Sequence, residues 1–343
     1  MISITKYTKI EDLQAVYERL YQECPVTLTP FSSYIFNYYS LRALRWRFRG
    51  YELSPILYYC TEDKNEAIFL FVKNIGKHEL ATISAYSPVD YSELITNSND
   101  IRFIKEAIVQ IYEMNAGYTI RFDAIHEGSL LHKALKEVPA IEQNCVKIDI
   151  TSYDQYYSQL SKHQRQNLRT GYNRLSNANM SHELKKITAP FPKEVIKNYK
   201  SLFFERRLQR IQPEMKLKTK FKLFYYALCV RFRDPIVPSL KHQNPDLVTF
   251  QYYIGSIMRA FVLGLYSHDK KSFYIVNLVY SKKHSQLSPG ILMLNEVVKV
   301  LAEEGGETID LTRGDEPYKL AMGGKVHYNY SFTLNDETIK KIQ

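Results

Sequence analysis

The residues with the clearest chemical potential lie near the end of the chain, between Ser288 and Lys319. Ser288, Pro289 and Gly290 precede a run in which apolar residues recur at helical spacing, so this triplet is predicted to begin a helix. The N-terminus of a helix presents backbone N–H groups and the positive end of a dipole, and both attract anions such as phosphates. The alternative is an ordinary helix start with no ligand.

Ionisable residues accompany the next predicted strand, which runs from Thr308 to Leu311. Asp310 is placed at the end of this strand, where its carboxylate could remove a proton from an amine or a hydroxyl. The same carboxylate could instead cap the following turn. Asp315 and Glu316 stand where helix caps and first-turn acids usually occur, so a structural role is favoured for both.

Basic residues could complement a charged ligand at this place. Lys319 could pair with a phosphate or with Asp310, and the alternative is a solvated lysine. Arg165 and Arg169 are four residues apart in a basic helical stretch, so they fall close to one face. They could hold phosphates of a donor or an acceptor, and the alternative is an exposed basic face.

Composition limits the class of protein. A length of 343 residues predicts two domains, and an apolar fraction of 45% is sufficient for a large core. The net charge of +10 favours anionic partners, namely nucleotides, nucleic acid or a membrane surface. The four cysteines are far apart, so neither structural zinc nor a disulfide framework is expected, and the cytoplasm is the predicted location. No signal peptide or membrane span is predicted.

The predicted elements follow the same order in the two halves of the chain. Each half has three strands, a loop that begins with Tyr-Ser, a long helix, a strand, a shorter helix and a final strand. Tyr86-Ser87 in the first half corresponds to Tyr280-Ser281 in the second. We therefore predict two related α/β domains, residues 1–150 and 181–343, joined by a basic helical connector, residues 151–180.

The C-terminal motifs resemble those of a known family. Ser288-Pro289-Gly290, Asp310, the run from Arg313 to Glu316 and Tyr318-Lys319 are similar to the cellulose-biosynthesis type of the GNAT acyltransferase superfamily. The architecture is similar to that of the FemABX peptidyltransferases, which carry two GNAT-like domains. The resemblance implies a fold of mixed α/β sheets with two tandem GNAT-like acyltransferase domains. One departure is that Gln286–Gly290, with a single glycine, replaces the glycine-rich phosphate loop of the superfamily.

The same resemblance implies an acyltransferase that uses no permanently bound cofactor and no metal. An acyl group, most simply acetyl, would pass from acyl-CoA or an acyl-carrier protein to an amine or a hydroxyl. The acceptor would be a sugar nucleotide or a precursor of a surface polysaccharide. The second half would hold the donor and the first half the acceptor.

The resemblance also assigns roles to individual residues. Tyr318 would protonate the departing thiolate, although a packed aromatic ring is an equally good interpretation. The remaining roles are donor binding by Ser288, Pro289 and Gly290, proton removal by Asp310 assisted by Lys319, and acceptor contacts by Asp90, Tyr91, Arg165 and Arg169. For Asp90 and Tyr91 the alternative is ordinary turn composition. Two other functions stay open: an aminoacyl transferase that uses aminoacyl-tRNA, and a non-catalytic scaffold.

Overall fold

The computed structural model describes residues 1–47, 52–86, 90–209, 211–233 and 244–342. The chain divides into two compact units, of which unit 1 contains Met1–Cys145 and His327–Gln343 and unit 2 contains Val146–Val326. The domain boundaries predicted from the sequence differ, because they assign the C-terminal segment to the second half. The last strand pairs with a strand of unit 1, and pairing between distant segments leaves no local signal in the sequence.

The sheet of unit 1 is mixed and has the order β1-β2-β3-β4-β6-β13. Neighbouring strands are antiparallel except β4 and β6, which are parallel. The strands are β1 (Ser3–Tyr7), β2 (Leu53–Glu62), β3 (Asn65–Asn74), β4 (Glu79–Thr82), β5 (Ile95–Thr96), β6 (Thr119–His126) and β13 (Lys325–Leu334), with β7 (Ala140–Asp149) passing into unit 2. The sequence predicts a β-hairpin formed by 56–60 and 67–73, and β2 and β3 confirm it. It also predicts a strand from Glu79 to Ala85, but β4 ends at Thr82 in a short 3₁₀ turn.

Helices cover the sheet of unit 1 and supply part of its core. They are α1 (Gln14–Glu23), α2 (Tyr34–Arg47), α3 (Ile101–Glu113) and α4 (Leu130–Leu135). Asp100 caps α3 by accepting bonds from the backbone N–H groups of Arg102 and Phe103. Phe103, Ala107 and Ile111 follow at steps of four, so they form one buried face. The aromatic and basic segment 31–50 forms α2, and its last residues lie outside the described part of the chain.

The sheet of unit 2 has the order β12-β11-β10-β9-β8. Its pairs are antiparallel except β11 and β12, which are parallel. The elements are α5 (Tyr153–Gln159), α6 (Lys162–Asn177), β8 (His182–Thr188), α7 (Lys193–Leu208), α8 (Leu217–Arg233), β9 (Leu247–Ile254), β10 (Ile257–Tyr266), β11 (Ser272–Tyr280), α9 (Pro289–Glu303), β12 (Thr308–Arg313) and α10 (Pro317–Ala321). Across the described ranges, none of the helices is both long enough and apolar enough to cross a membrane.

The repeated order of elements predicted from the sequence is confirmed. In each unit a meander of three strands is followed by a long helix and a strand parallel to the third one, β4 with β6 and β11 with β12. This arrangement brings the end of the third strand and the start of the long helix to the same place in each unit. Of the corresponding Tyr-Ser pairs, Ser87 lies outside the described residues.

The predicted basic connector is part of unit 2 rather than a separate element. It consists of two helices instead of one, because Leu160 is extended and the Ser161 side chain caps α6 by accepting a bond from the N–H of Gln164. At Gly171 the helix lies so close to α9 that an added Cβ would stand 3.0 Å from Leu292. The connector is therefore packed against the helix that begins at Ser288-Pro289-Gly290.

Buried tyrosines make the protein sensitive to alkaline pH. Burial raises the pKa of Tyr17, Tyr156 and Tyr252 well above 10. Above about pH 10 the unfolded chain loses these protons while the folded chain retains them. The free energy of unfolding should therefore fall by about 1.4 kcal/mol per pH unit for each such tyrosine. Loss of far-ultraviolet circular dichroism should coincide with the appearance of tyrosinate absorbance.

Tyr252→Phe provides the matched variant for this pH dependence. Among the residues that the structure describes, the Tyr252 hydroxyl has no hydrogen-bond partner, so its removal takes away the ionisable group without breaking a bond. The variant should unfold at a higher pH than the wild type. Tyrosinate absorbance that rises fully while the circular dichroism stays intact would contradict the expectation.

Candidate active site in unit 2

The parallel strands β11 and β12 separate beside the start of α9. Their ladder joins Ser272 to Thr308, Phe273 to Ile309 and Tyr274 to Asp310, whereas β11 continues to Tyr280 and β12 to Arg313. The pairing of β10 with β11 shifts at Gly264, so that β11 contains one extra residue there. A bulge bends the strand that carries it, which accounts for the divergence of β11 from β12. The result is an opening in the sheet of unit 2.

The start of α9 is shaped by Ser288, Pro289 and Gly290. Ser288 has a φ of 50°, in the left-handed region, and its carbonyl accepts bonds from the N–H groups of Ile291 and Leu292. Pro289 occupies the first turn, as the sequence predicts. An added Cβ on Gly290 would stand 2.9 Å from the ring of Tyr280, so glycine lets the end of β11 approach the helix. These three residues lie together at the N-terminus of a helix of 15 residues.

Tyr318 lies in the same cluster and is mostly buried. Burial raises its pKa to about 12, with smaller contributions from Glu316 and Tyr280 in the same direction and from Arg206 in the opposite one. The phenol therefore stays protonated throughout the neutral range and can donate a proton. The guanidinium of Arg206 also lies 5.1 Å from the centre of the Tyr280 ring. Electrostatic contact thus joins α7, the end of β11 and α10.

The buried Lys319 holds the loop at Arg313 and Gly314 in place through hydrogen bonds. Lys319 is 3% exposed, and its Nζ donates to the carbonyl oxygens of Arg313 at 2.7 Å and Gly314 at 3.0 Å. It also forms an ion pair of 3.0 Å with Glu316. Gly314 has a φ of +97°, and an added Cβ would stand 2.7 Å from the Glu316 carboxylate. Lys319 is therefore not a solvated lysine, and its pairing with a phosphate or with Asp310 stays a prediction.

Lys319→Met should destabilise the protein clearly. Hydrogen bonds from a charged donor typically contribute about 1.5–3 kcal/mol, and the carbonyl groups would lose their buried partner. We expect the free energy of unfolding to fall by about 2–3 kcal/mol in urea titrations. The control is Lys325→Met, because Lys325 pairs with Asp149 on the surface and such pairs contribute about 1 kcal/mol or less. Equal losses in the two variants would contradict the bracing role.

Asp310 lies inside β12 and not at its end. Its side chain is 6% exposed and accepts a 2.7 Å bond from the N–H of Thr312, a residue with a φ of 57°. The Thr312 hydroxyl in turn donates to the carbonyl of Ile275 at 3.1 Å. The carboxylate therefore stabilises the turn at the end of β12, which is the second interpretation that the sequence allowed. Its role as a general base stays a prediction.

The four residues predicted to contact an acceptor are divided between unit 1 and unit 2, and their surroundings differ from one residue to the next. In unit 1, Tyr91 is 1% exposed and packs against Phe31 and two histidine rings, and the carbonyl of Asp90 accepts a bond from Asn329. In unit 2, Arg165 donates to the carbonyl groups of Ser158 and Leu160, and Arg169 is exposed. Tyr91 and Arg165 thus have structural contacts of their own.

Several residues of the cluster were not found by sequence reasoning. Arg206 and Glu205 are on α7; Glu205 accepts a 2.8 Å bond from the Ser281 hydroxyl. Arg174, on α6, donates to the carbonyl of Gln286 and fixes the segment before Ser288. These residues are far in sequence from Tyr280 and Ser288, and no motif connects them. One sequence signal could have identified Tyr280, namely its position at the end of a predicted strand that precedes the Pro-Gly helix start.

The described residues include no group of three or more histidine, cysteine, aspartate or glutamate side chains that could hold a metal ion. What unit 2 offers is a strand opening, a helix N-terminus and a protonated phenol. This combination can bind a phosphate-bearing ligand, polarise a carbonyl group and protonate a leaving group.

Comparison with known proteins agrees with this fold. Residues 162–320, which include α6 to most of α10, match the family described as an acetyltransferase (GNAT) domain. A search of curated proteins finds no match. The matched range thus contains the separated strands β11 and β12 and the start of α9.

Solved structures extend the likeness to the whole chain. A conserved protein of Bacteroides thetaiotaomicron has a TM-score of 0.53 at 13% identity and covers 98% of this chain and 100% of its own. FemX has a TM-score of 0.50 at 10% identity, with 98% and 99% covered. A tandem GNAT protein from the clavulanic acid biosynthesis pathway has a TM-score of 0.50 at 11% identity, with 97% and 98% covered. The predicted fold of two tandem GNAT-like domains is confirmed.

Proposed function

We propose that the protein is an acyltransferase that moves an acyl group, most simply acetyl, from a thioester donor to an amine or a hydroxyl. The donor would be acyl-CoA or an acyl-carrier protein, and the acceptor a sugar or a precursor of a cell-surface polysaccharide. The opening between β11 and β12, beside the start of α9 and the buried Tyr318, is the observation that carries the proposal. The match of residues 162–320 to an acetyltransferase domain supports it.

The donor would lie with its phosphates at the start of α9 and its thioester in the strand opening. Backbone N–H groups and the helix dipole at Ser288, Pro289 and Gly290 would hold the phosphates. Arg174 supports this segment through its bond to the carbonyl of Gln286. The thioester carbonyl would lie along β11 near the bulge, where a backbone N–H outside the ladder can stabilise negative charge on the oxygen.

Transfer would proceed directly between the two bound substrates. The acceptor nitrogen or oxygen attacks the carbonyl carbon, and a C–N or C–O bond forms as the C–S bond breaks. The acceptor proton passes to a carboxylate, for which Asp310 is the proposed base, and Tyr318 gives its phenolic proton to the departing thiolate. If Asp310 serves only the turn at Thr312, the Asp310→Asn variant will retain its activity.

Separate residues are proposed to contact the acceptor. Arg169 is exposed on α6 and is the proposed contact for acceptor phosphates, whereas Tyr91 and Arg165 would act by shaping the loops that carry them. Asp90 is proposed as a second acceptor contact. We also propose the cellulose-biosynthesis type of the superfamily and a cytoplasmic location, where acyl-CoA is available.

A second candidate function is supported by the likeness to FemX and by the net charge of +10. In that case the donor would be an aminoacyl-tRNA, whose ester would occupy the same strand opening. The third candidate, a scaffold that has lost catalysis, would bind none of these donors. Identifying the donor would therefore distinguish the three candidate functions.

A thermal-shift panel tests the donor site. The panel consists of coenzyme A, acetyl-CoA, longer acyl-CoA species, an acyl-carrier protein and bulk tRNA. A ligand that binds only the folded state stabilises it by about 2.7 kcal/mol at a hundredfold excess over its dissociation constant, so the midpoint rises. We expect a shift with one acyl-CoA, and we expect Gly290→Glu to abolish it, because the new side chain meets Tyr280 and places negative charge at the phosphate site.

The control for this panel is Gly76→Glu. It adds the same charge in unit 1, at a glycine whose nearest contact would be Asn74 at 3.7 Å. This variant should keep the full ligand-induced shift. A shift with tRNA alone would favour the aminoacyl transferase, and no shift with any ligand would favour the scaffold.

A further inference from the structure

The first turns of α8 expose a row of large apolar side chains. Leu217 is 82% exposed, Phe221 70%, Phe224 42% and Tyr225 59%. Their spacing of four, three and one residues places them on one face of the helix. Single exposed apolar residues are common on protein surfaces, but four on one helical face form a continuous patch. We name these four residues the α8 patch.

The α8 patch is not needed for the core of unit 2. The helix packs against α7, and Ala227 is fully buried while Leu223 and Leu228 are partly buried. Leu223 and Ala227 lie on another face of the helix, whereas Leu228 continues the face of the patch towards the C-terminal end, where it is partly buried. The buried contacts of α8 are therefore made elsewhere, and the patch remains on the outside.

Basic residues alternate with the apolar ones. Lys216, Lys218 and Lys222 are exposed, and Lys220 donates to the carbonyl of Pro213. Between residues 216 and 233 the sequence contains six lysines and arginines and no acidic residue. An apolar stripe bordered by lysines, without acidic side chains, is the pattern of helices that lie in the interface of an anionic membrane.

We infer that the α8 patch docks on an anionic lipid surface. The apolar side chains would enter the region between headgroups and acyl chains, and the lysines would contact anionic headgroups. A protein partner fits less well, because lysine is depleted in the centres of protein interfaces. Nucleic acid fits less well too, since Leu217, the most exposed member, gains nothing from phosphates.

The position of α8 connects this surface with the candidate active site. Arg206, on the neighbouring helix α7, lies over the ring of Tyr280 at the end of β11. One helix therefore separates the α8 patch from the cluster around Tyr318. The inference goes beyond the proposed acyltransferase activity and does not depend on it.

Vesicle flotation with the full chain tests the inference. The probes are vesicles of phosphatidylglycerol and phosphatidylcholine at about 3:7, compared with pure phosphatidylcholine. We expect the wild type to float with the anionic vesicles only, and the partition coefficient to fall as salt rises. The triple variant Leu217→Ser, Phe221→Ser, Phe224→Ser should lose at least about tenfold in partition coefficient, because most of the buried apolar area is removed.

Two further variants make the result specific. Lys218→Glu with Lys222→Glu should also abolish flotation, since it reverses charge beside the patch without changing its apolar area. Met180→Ser with Ile257→Ser removes exposed apolar residues elsewhere in unit 2 and should leave flotation unchanged. All of these sites are exposed, so circular dichroism and the thermal midpoint should match the wild type.

Three results would overturn the inference. The first is a wild type that does not float with anionic vesicles. The second is flotation that the triple variant retains, which would place membrane contact on another surface. The third is a protein that does not bind vesicles but binds bulk tRNA through the α8 patch. The first two results do not affect the donor panel. The third is distinguished from donor binding because a tRNA shift at the donor site should be abolished by Gly290→Glu and retained by the triple variant, so the two proposals fail separately.

Discussion

Tyr318→Phe is expected to lower kcat by about a hundredfold with the donor that the thermal panel identifies, since general acid catalysis typically contributes 10²–10⁴. This corresponds to about 2.7 kcal/mol of transition-state stabilisation. The wild-type phenol has a pKa of about 12, so it is protonated at neutral pH and available to the leaving thiolate. KM for the donor should change little, because the hydroxyl acts only when the C–S bond breaks.

The comparison for this variant is Tyr157→Phe. Tyr157 is a partly buried tyrosine packed against the same core, and its hydroxyl has no proposed role in transfer. Steady-state kinetics should show an unchanged kcat for Tyr157→Phe, and both variants should keep the wild-type thermal midpoint. Full activity of Tyr318→Phe would leave the tyrosine as a packed aromatic ring, the other interpretation that the sequence allowed.

Gly264→Ala is expected to cause the largest loss of stability from a single added methyl group in the sheet of unit 2. The new Cβ would stand 2.3 Å from the ring of Phe273 and 2.6 Å from the carbonyl oxygen of Tyr274. The ring could rotate, but the backbone oxygen can move only with β11. Overpacking of this kind costs about 1–3 kcal/mol and sometimes more, and we expect about 3 kcal/mol in urea denaturation.

This substitution also tests the strand opening. Phe273 and Tyr274 pair with Ile309 and Asp310 in the last part of the β11–β12 ladder, so a displaced β11 should weaken donor binding as well. Gly76→Ala is the control, because its nearest contact at 3.7 Å is ordinary van der Waals distance. If Gly264→Ala and Gly76→Ala have the same free energy of unfolding, β10 and β11 can move apart without a loss of stability, and the expectation is wrong.

Much of the fold could be predicted because local patterns dominate it. The sequence predicts strands over 182–188, 247–254, 257–266 and 272–280, and β8, β9, β10 and β11 have these boundaries. Of these, β9, β10 and β11 are apolar runs between polar turns. Ser161, which separates α5 from α6, was missed because the basic residues around it continue the helical pattern. The ends of the parallel strands were also missed, since the pairing that defines them comes from distant segments.

The candidate site was predictable only in part. Ser288-Pro289-Gly290 and Tyr318 were identified from motif and resemblance, and the structure places both beside Tyr280. Lys319 was expected near a ligand but is buried among carbonyl groups, because the turn at Gly314 folds the loop back over it. Burial of a charged side chain depends on what surrounds it, which no local pattern specifies.

By itself, the sequence determined the repeated order of strands and helices, the helix start at Pro289 and the basic character of α6 and α8. These features follow from periodicity, turn residues and charge, all of which are local. The tertiary structure alone decided that the chain returns to unit 1 at His327, that Arg206 reaches Tyr280 and that the α8 patch stays outside. Such contacts join residues distant in sequence, so they exist only once the chain has folded.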